Sequence, residues 1–267
     1  MQTSQPLISC LMVTLDRLEL LKQSVKRFCL QTYPHKELLI VTDGSEEYRQ
    51  QIIQFVAGLN HSAIKVVPIE PRQKLGALRN IAMGQASGEI LCQWDDDDLY
   101  HPQRLEMQLR CLQYIDASAC FMADYFHYFV ERKELLWCTC ARSGGFPGSI
   151  MFKAGLGLSY PETGPKSEKG EDQVFQRELG KRYKISLLSK CGYLYVYAFH
   201  GRNTWDLNHH SRLAKLLALP FDFVRPRLGP LYRQLKAQLG QEFPVTLVCR
   251  NGERVEFRPR NNAASPQ

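Results

Sequence analysis

The stretch Ile90-Leu91-Cys92-Gln93-Trp94-Asp95-Asp96-Asp97-Asp98 runs from a continuous apolar segment straight into four aspartates. A short apolar run without alternation is the pattern of a strand buried on both faces. Gly88 lies ahead of it, placed to stop a helix carrying Leu75, Leu78 and Ile81. Pro102 lies behind it, suited to the first turn of a helix with Leu105, Leu109 and Leu112 on one face. The segment therefore reads as helix, strand, acidic turn, helix.

The same alternation continues towards the N-terminus. Leu7 to Val13 and Leu38 to Val41 are apolar runs of strand length, and Ile64 to Ile69 is a third. Between them, Leu18, Leu21, Val25 and Phe28 recur at helical spacing before Pro34, and Ile52, Phe55 and Val56 mark a second helix. Repeated strand–helix–strand units imply a parallel sheet with helices on both faces, in which ligands gather at the carboxyl ends of the strands. Asp43 and Asp95 to Asp98 both fall at such ends.

Beyond residue 116 the pattern turns β-rich up to Phe152, with a Gly/Pro loop at Gly144 to Gly148. A polar stretch from Pro161 to Gly170 leads into a helix beginning near Glu171, and strands follow at Tyr183 to Leu188 and Gly192 to Ala198. Short leucine-bearing helices at Ser211 to Leu219 and Pro230 to Leu239 precede a hairpin pattern, Val245 to Cys249, Asn251-Gly252, Val255 to Phe257. The expected architecture is α/β: a Rossmann-like, mostly parallel central sheet over residues 1–205. Residues 1–115 form its first half, with the strand ends at which a ligand would gather, and 116–205 its second. Residues 206–260 form a small helical and hairpin appendage, and 261–267 a disordered tail.

Composition sets bounds on the chemistry. With 267 residues, 44% of them hydrophobic, the chain can bury a sizeable core. Its nine cysteines are odd in number and scattered, and are read as reduced; Cys138 and Cys140 lack the spacing of a zinc pair. A net charge of +7 suits phosphorylated substrates or an anionic membrane surface, and charge alone does not exclude nucleic acid. No apolar run approaches the roughly 18 residues of a membrane span, and Pro6 to Val13 lacks the basic flank of a secretory leader. The expected location is the cytoplasm, with peripheral contact at the inner membrane surface.

Four adjacent carboxylates repel one another unless they are solvated or hold a cation. Hard divalent ions take oxygen ligands and complete their shell with substrate phosphates, so an acidic turn at a strand end suits magnesium or manganese clamped on a diphosphate. An isolated acidic tract is equally a solvated loop. Asp43, in Thr42-Asp43-Gly44-Ser45, can accept the ring N–H of a base or be an ordinary turn residue. Arg79 can reach a diphosphate or form the polar face of its helix. Glu171-Asp172 can supply a general base or merely favour a helix start. His200 can ligate a metal and Arg202 can bind phosphate, while a structural histidine is the plainer reading.

In their order and spacing these segments resemble glycosyltransferase family 2, the inverting enzymes of GT-A fold. The resemblance covers residues 7–205. It rests on Val13-Thr14-Leu15-Asp16-Arg17, Thr42-Asp43-Gly44-Ser45, Ala77-Leu78-Arg79-Asn80, Ala86-Ser87-Gly88-Glu89, then Asp95, Asp97 and Asp98 ahead of His101-Pro102, and lastly Glu171-Asp172. It implies that Thr14 and Asp43 hold the nucleoside and that Arg79 lies near base or phosphates. It further implies that Asp95 or Asp96 approaches the ribose, that Asp97 and His200 hold a divalent metal, and that Asp172, beside Glu171, is the general base. The donor implied is a nucleotide-sugar, with uridine diphosphate the expected carrier; the acceptor is a hydroxyl on a glycan or lipid-linked glycan, and no nucleic acid is expected.

Two departures are visible: Leu15 replaces an aromatic residue, and Thr42 replaces the first of two aspartates. The absence of a Gln-x-x-Arg-Trp motif argues against a processive synthase. A nucleotidyltransferase acting on sugar phosphates is the rival enzyme, but it would show a glycine-rich loop where Val13 to Leu18 has no glycine. A non-enzymatic basic binding module is the other rival, since residues 209–240 carry six Lys/Arg against one Asp.

Overall fold

The computed structural model describes residues 5–240 and 243–258; the tail expected from Asn261 lies outside them. The chain begins β1 (Ile8–Thr14), α1 (Leu18–Cys29), β2 (Lys36–Thr42), α2 (Glu46–Leu59), β3 (Ile64–Pro68), α3 (Leu75–Gln85), β4 (Ile90–Gln93), β5 (Leu99–Tyr100) and α4 (Arg104–Tyr114). It continues β6 (Ala119–Met122), β7 (Asp124–Phe129), β8 (Glu134–Thr139), β9 (Phe146–Lys153), α5 (Glu171–Arg182), β10 (Ile185–Leu188) and β11 (Tyr195–Phe199). The last elements are α6 (Leu207–Leu217), α7 (Phe221–Val224), α8 (Leu228–Leu239), β12 (Val245–Val248) and β13 (Arg254–Phe257).

The first sheet has the order β10-β6-β9-β4-β1-β2-β3 and is parallel except around β9. Successive side chains of a strand point to opposite faces, and the apolar runs are shared out accordingly. Ile8, Cys10 and Met12 pack with Leu21, Val25 and Phe28 of α1 and Leu105, Leu109 and Leu112 of α4. Leu11, Leu39 and Val41 pack on the other side with Leu78 and Ala82 of α3 and Phe175 and Leu179 of α5. Helices cover both faces, as an all-apolar strand requires.

A second sheet, β13-β12-β8-β7-β11-β5, stands beside the first. The C-terminal hairpin belongs to it, because β12 runs parallel to β8 with Thr246 opposite Glu134 and Leu247 opposite Leu135. Leu231, Leu235 and Leu239 of α8 are buried with Phe126, Tyr128 and Trp137 of this sheet. β11, which ends at the His200 segment, is likewise a member of the second sheet, between β7 and β5.

Three local readings are corrected. Gly88 does not stop α3, which ends at Gln85; a Cβ there would lie 2.6 Å from the Leu7 carbonyl oxygen and 2.8 Å from Ser9 N, so the position needs glycine for close backbone approach. Pro102 precedes α4 rather than sitting in its first turn, since the N-cap is Gln103. Phe146, Pro147 and Gly148 open β9 instead of closing a loop.

Candidate functional site

β1, β2 and β4 lie in parallel register, Ile8 opposite both Lys36 and Ile90, so their carboxyl ends meet at one edge. Below that edge opens a cavity of about 1130 Å³, lined among others by Thr14, Arg17, Asp43, Arg79, Asp95, Asp97, Glu171, Asp172 and Arg202. Most of the residues expected in the site are therefore brought to one space, although Glu171 and Asp172 come from a helix some 75 residues downstream of the acidic turn.

The four aspartates divide by alternation. Asp95 and Asp97 are half-buried and line the cavity, while Asp96 and Asp98 are 1% and 2% exposed. Asp96 and Asp97 form a turn between β4 and β5, and the side chains across it face the protein interior and the cavity in alternation. Asp98 accepts from the Tyr195 hydroxyl at 2.6 Å and from Ala198 N at 3.0 Å, which ties the turn to β11. Burial, with Asp97 and Asp95 nearby, pushes its carboxyl well above the usual range.

Asp96 accepts from Thr14 Oγ1 at 2.6 Å and from Arg17 Nη2 at 2.6 Å. Thr14 in turn shares a 2.6 Å hydrogen bond with the Tyr48 hydroxyl. Thr14 and Asp96, expected to contact the donor directly, are thus bonded to each other; Thr14 lines the cavity, while Asp96 lies beneath it. Burial and the neighbouring Asp97 push Asp96 up to about 7, with Arg17 and Thr14 opposing.

Asp97 Oδ2 accepts from Arg17 Nη1 at 2.6 Å and faces His200 Nε2 at 3.1 Å. Burial opposes its ionisation, but the His200 hydrogen bond and the Arg17 charge outweigh this and hold the carboxyl below its usual range. His200 Nδ1 accepts from Arg202 N at 3.3 Å. A neutral imidazole has one acceptor nitrogen, so this arrangement places the ring proton on Nε2, donated to Asp97. The structure thus sets His200 directly against Asp97, the two residues expected to hold the metal. Among the described residues no group of three His, Cys, Asp or Glu side chains converges as a ready-made metal site.

Arg79, 9% exposed, joins the acidic turn to the downstream helix. Its Nε donates to Glu171 Oε1 at 2.9 Å, and Nη1 and Nη2 reach Asp95 Oδ1 at 3.3 and 3.2 Å. Glu171 is itself buried, so its charge is committed to Arg79. Asp172 is half-buried, and among the described residues its side chain takes a short local hydrogen bond from Gln173 N at 2.7 Å. Burial and repulsion by Glu171, partly offset by Arg79, raise its carboxyl to about 7. A half-exposed carboxylate with that value suits proton transfer near neutrality.

Asp43 Oδ2 accepts from Gln73 N at 2.8 Å at the rim. Arg202 donates through Nη2 to the Asp16 carbonyl at 2.8 Å, which locks the turn between β1 and α1. The loop of residues 161–170 is docked by main-chain contacts. Asn80 bonds both the N and O of Tyr160, and Gly76 N donates to Ser167 O at 2.8 Å, with Pro161 O where a Gly76 Cβ would be.

Sequence reasoning missed the supporting residues Arg17, Tyr48 and Tyr195. Arg17 had a signal, since it follows the carboxyl end of β1 just as Asp43 follows β2. Arg104 gave none: it is fully buried, donates to Gln93 O at 2.9 Å, and stands over Trp94, Tyr100 and Tyr195 at 4.4 to 5.3 Å from their ring centres.

Residues 9–156 match the family model described as Glycosyl transferase family 2. WcaA of Escherichia coli K12, named as a glycosyl transferase of colanic acid biosynthesis, is 33% identical over 121 residues, covering 45% of this chain and 43% of that protein. The alignment with EpsE of Bacillus subtilis likewise spans only 40% of that protein. WfgD of Escherichia coli, a UDP-Glc:α-D-GlcNAc-diphosphoundecaprenol β-1,3-glucosyltransferase, is 30% identical over 236 residues, covering 85% of this chain and 90% of that protein. Among solved structures, Staphylococcus aureus TarS 1–349 with UDP-GlcNAc superimposes with a TM-score of 0.60 at 18% identity, covering 86% of this chain and 66% of the other. A Pyrobaculum calidifontis mannosyltransferase with GDP-Man and Mn2+ does so with 0.58 at 13% identity, covering 88% and 70%. The fold is that of the GT-A glycosyltransferases. With strand-end carboxylates, family match and fold in agreement, the chain belongs to glycosyltransferase family 2.

Proposed function

We propose that the protein transfers a sugar, with inversion, from a nucleotide-sugar to a hydroxyl of a glycan acceptor. The observation that carries this reading is the placement of Asp95, Asp97 and the half-exposed Asp172 around one cavity, with Arg79 linking the acidic turn to Glu171 beside Asp172. Uridine diphosphate as the carrier is supported by WfgD, whose name specifies UDP-Glc, and by TarS with UDP-GlcNAc.

In this reading Asp43 takes the base at the rim and Asp95 takes the ribose, while Arg79 and Arg202 supply positive charge near the phosphates. Asp97 holds the divalent ion, manganese or magnesium; its carboxylate oxygens are the right donors, and His200 keeps them oriented. The ion supplies Lewis-acid neutralisation of the departing diphosphate. Asp172 removes the acceptor hydroxyl's proton as that oxygen bonds to the anomeric carbon and the carbon–phosphate-oxygen bond breaks. Glu171 keeps Arg79 in place. Ligation by His200 itself would require the proton to move to Nδ1 and the Arg202 N–H bond to be given up.

A lipid-linked acceptor, as in the name of WfgD, is the finer reading. No helix among the described residues is long and apolar enough to cross a membrane. α6 exposes Leu216, at 68%, on the same side as the exposed Arg212, with exposed Lys215 beside it, which supports a seat on an anionic lipid surface. The leucines of α8 are buried and take no part. The deciding experiment is hydrolysis and transfer with a panel of nucleotide-sugars, with and without manganese. Selective, metal-dependent turnover of one UDP-sugar is expected; metal-independent turnover, or none with any donor, would reject the assignment.

A further inference from the structure

We propose that Arg17 is the resident counter-cation of the acidic turn, and that it yields Asp97 to a divalent ion only when a nucleoside diphosphate enters, so that metal and nucleotide bind as a coupled pair. This rests on the metal-dependent donor site proposed above. It adds an order of events and a residue responsible for it.

The guanidinium of Arg17 spans two carboxylates, Nη1 on Asp97 Oδ2 and Nη2 on Asp96 Oδ1, both at 2.6 Å. The one guanidinium thus offsets the charge of two adjacent carboxylates. Asp97 Oδ2 also receives His200 Nε2 at 3.1 Å. A carboxylate oxygen has two lone-pair directions, so this oxygen is filled while Arg17 remains. The protein alone offers an incoming ion little else, because no triad of ligating side chains converges among the described residues. The remaining ligands would be water and the substrate's own phosphate oxygens.

Arg17 is also placed to move. Its side chain is 20% exposed and lines the same cavity that receives the diphosphate. Its backbone is held independently of that side chain. Asp16 before it adopts φ 51°, a left-handed conformation that aspartate tolerates, and the Asp16 carbonyl is clamped by Arg202. A guanidinium binds a phosphate through the same two-pronged geometry as a carboxylate. Without nucleotide, a metal ion must displace a tethered cation that gains no new anionic partner in exchange. With nucleotide, the diphosphate takes up the Arg17 charge and supplies ligands to the ion in the same event.

The test is titration of the full chain with manganese, following free Mn2+ by its paramagnetic resonance signal, with and without UDP. Wild type, Arg17→Gln and Arg17→Lys are compared, with weak binding of Mn2+ by UDP itself subtracted. UDP should tighten Mn2+ binding to the wild type by about tenfold or more, within the usual range of coupling between sites. Arg17→Gln should bind Mn2+ about tenfold more tightly than wild type without UDP, and gain little further from UDP. If Arg17→Gln does not fold, Arg17→Lys carries the test: its single ammonium cannot bridge both carboxylates with the fork geometry, so it too should bind Mn2+ more tightly than wild type without UDP. Unchanged or weaker Mn2+ binding by the folded variants would overturn the exchange while leaving the metal site standing. Absence of Mn2+ binding to the wild type even with UDP would overturn both.

Discussion

Asp172 and Glu171 are neighbours in sequence with opposite circumstances, and that contrast sets expectations at the residue scale. Asp172 must be ionised to accept a proton, and burial beside Glu171 raises its carboxyl to about 7. Below that value the ionised fraction, and with it kcat/KM, should fall about tenfold per pH unit, levelling off above it. A pH profile of kcat/KM at acceptor concentrations well below saturation checks this. Asp172→Asn should lower transfer by about 10² to 10⁴-fold while sparing UDP binding; near-normal turnover would remove Asp172 from the mechanism. Glu171→Gln should act differently. Loss of the adjacent negative charge should move the inflection to lower pH, and a buried Arg79 left with Asp95 alone should cost about 3 kcal/mol in urea unfolding, the low end for breaking a buried pair.

Helix α3 provides a matched pair of glycines at the scale of an element. Gly76 has Pro161 O at 1.9 Å from where its Cβ would stand, whereas Gly84 has nothing within 4 Å. Gly84→Ala should stabilise the protein by about 0.5–1 kcal/mol, because alanine loses less backbone entropy on entering a helix. Gly76→Ala should destabilise by about 1–3 kcal/mol through overpacking and make residues 161–170 more susceptible to limited proteolysis. Equal effects of the two substitutions in thermal unfolding would refute this account of the interface. Elements also mark where sequence reading stopped. The runs of β1, β2 and β4 were legible because strands buried on both faces are apolar throughout, and Asp43 and Asp95 were legible because they end such strands. β9 was partly hidden, since Phe146-Pro147-Gly148 carries turn residues at the start of a strand.

On the scale of the whole molecule, the two sheets and the C-terminal segment share their cores. Removing residues 206–258 would uncover Phe126, Tyr128 and Trp137, now buried against α8 and β12. The truncated chain should aggregate rather than remain a soluble core, as light scattering after expression would show; a monomeric, folded 1–205 fragment would contradict this. The assembly of the sheets was not legible in the sequence. Local periodicity identifies a strand but not its partner, so β11 gave no sign that it joins β7 and β5, nor β12 that it extends β8. The same distance in sequence hid Tyr48 under Thr14 and Tyr195 under Asp98, pairs separated by 34 and 97 residues.

The attachment of residues 161–170 to α3 has a consequence for how such a protein diversifies. Three anchors on the loop side, Tyr160 N and O and Ser167 O, are main-chain atoms that nearly any amino acid supplies, and two are side chains, Glu162 on Asn80 and Glu168 on Lys74. The demanding positions, Gly76 and Asn80, lie on the donor side. Mutations can therefore rewrite the loop's side chains other than Glu162 and Glu168 while its main-chain mooring holds, and new acceptor preferences can arise over a donor site that stays fixed.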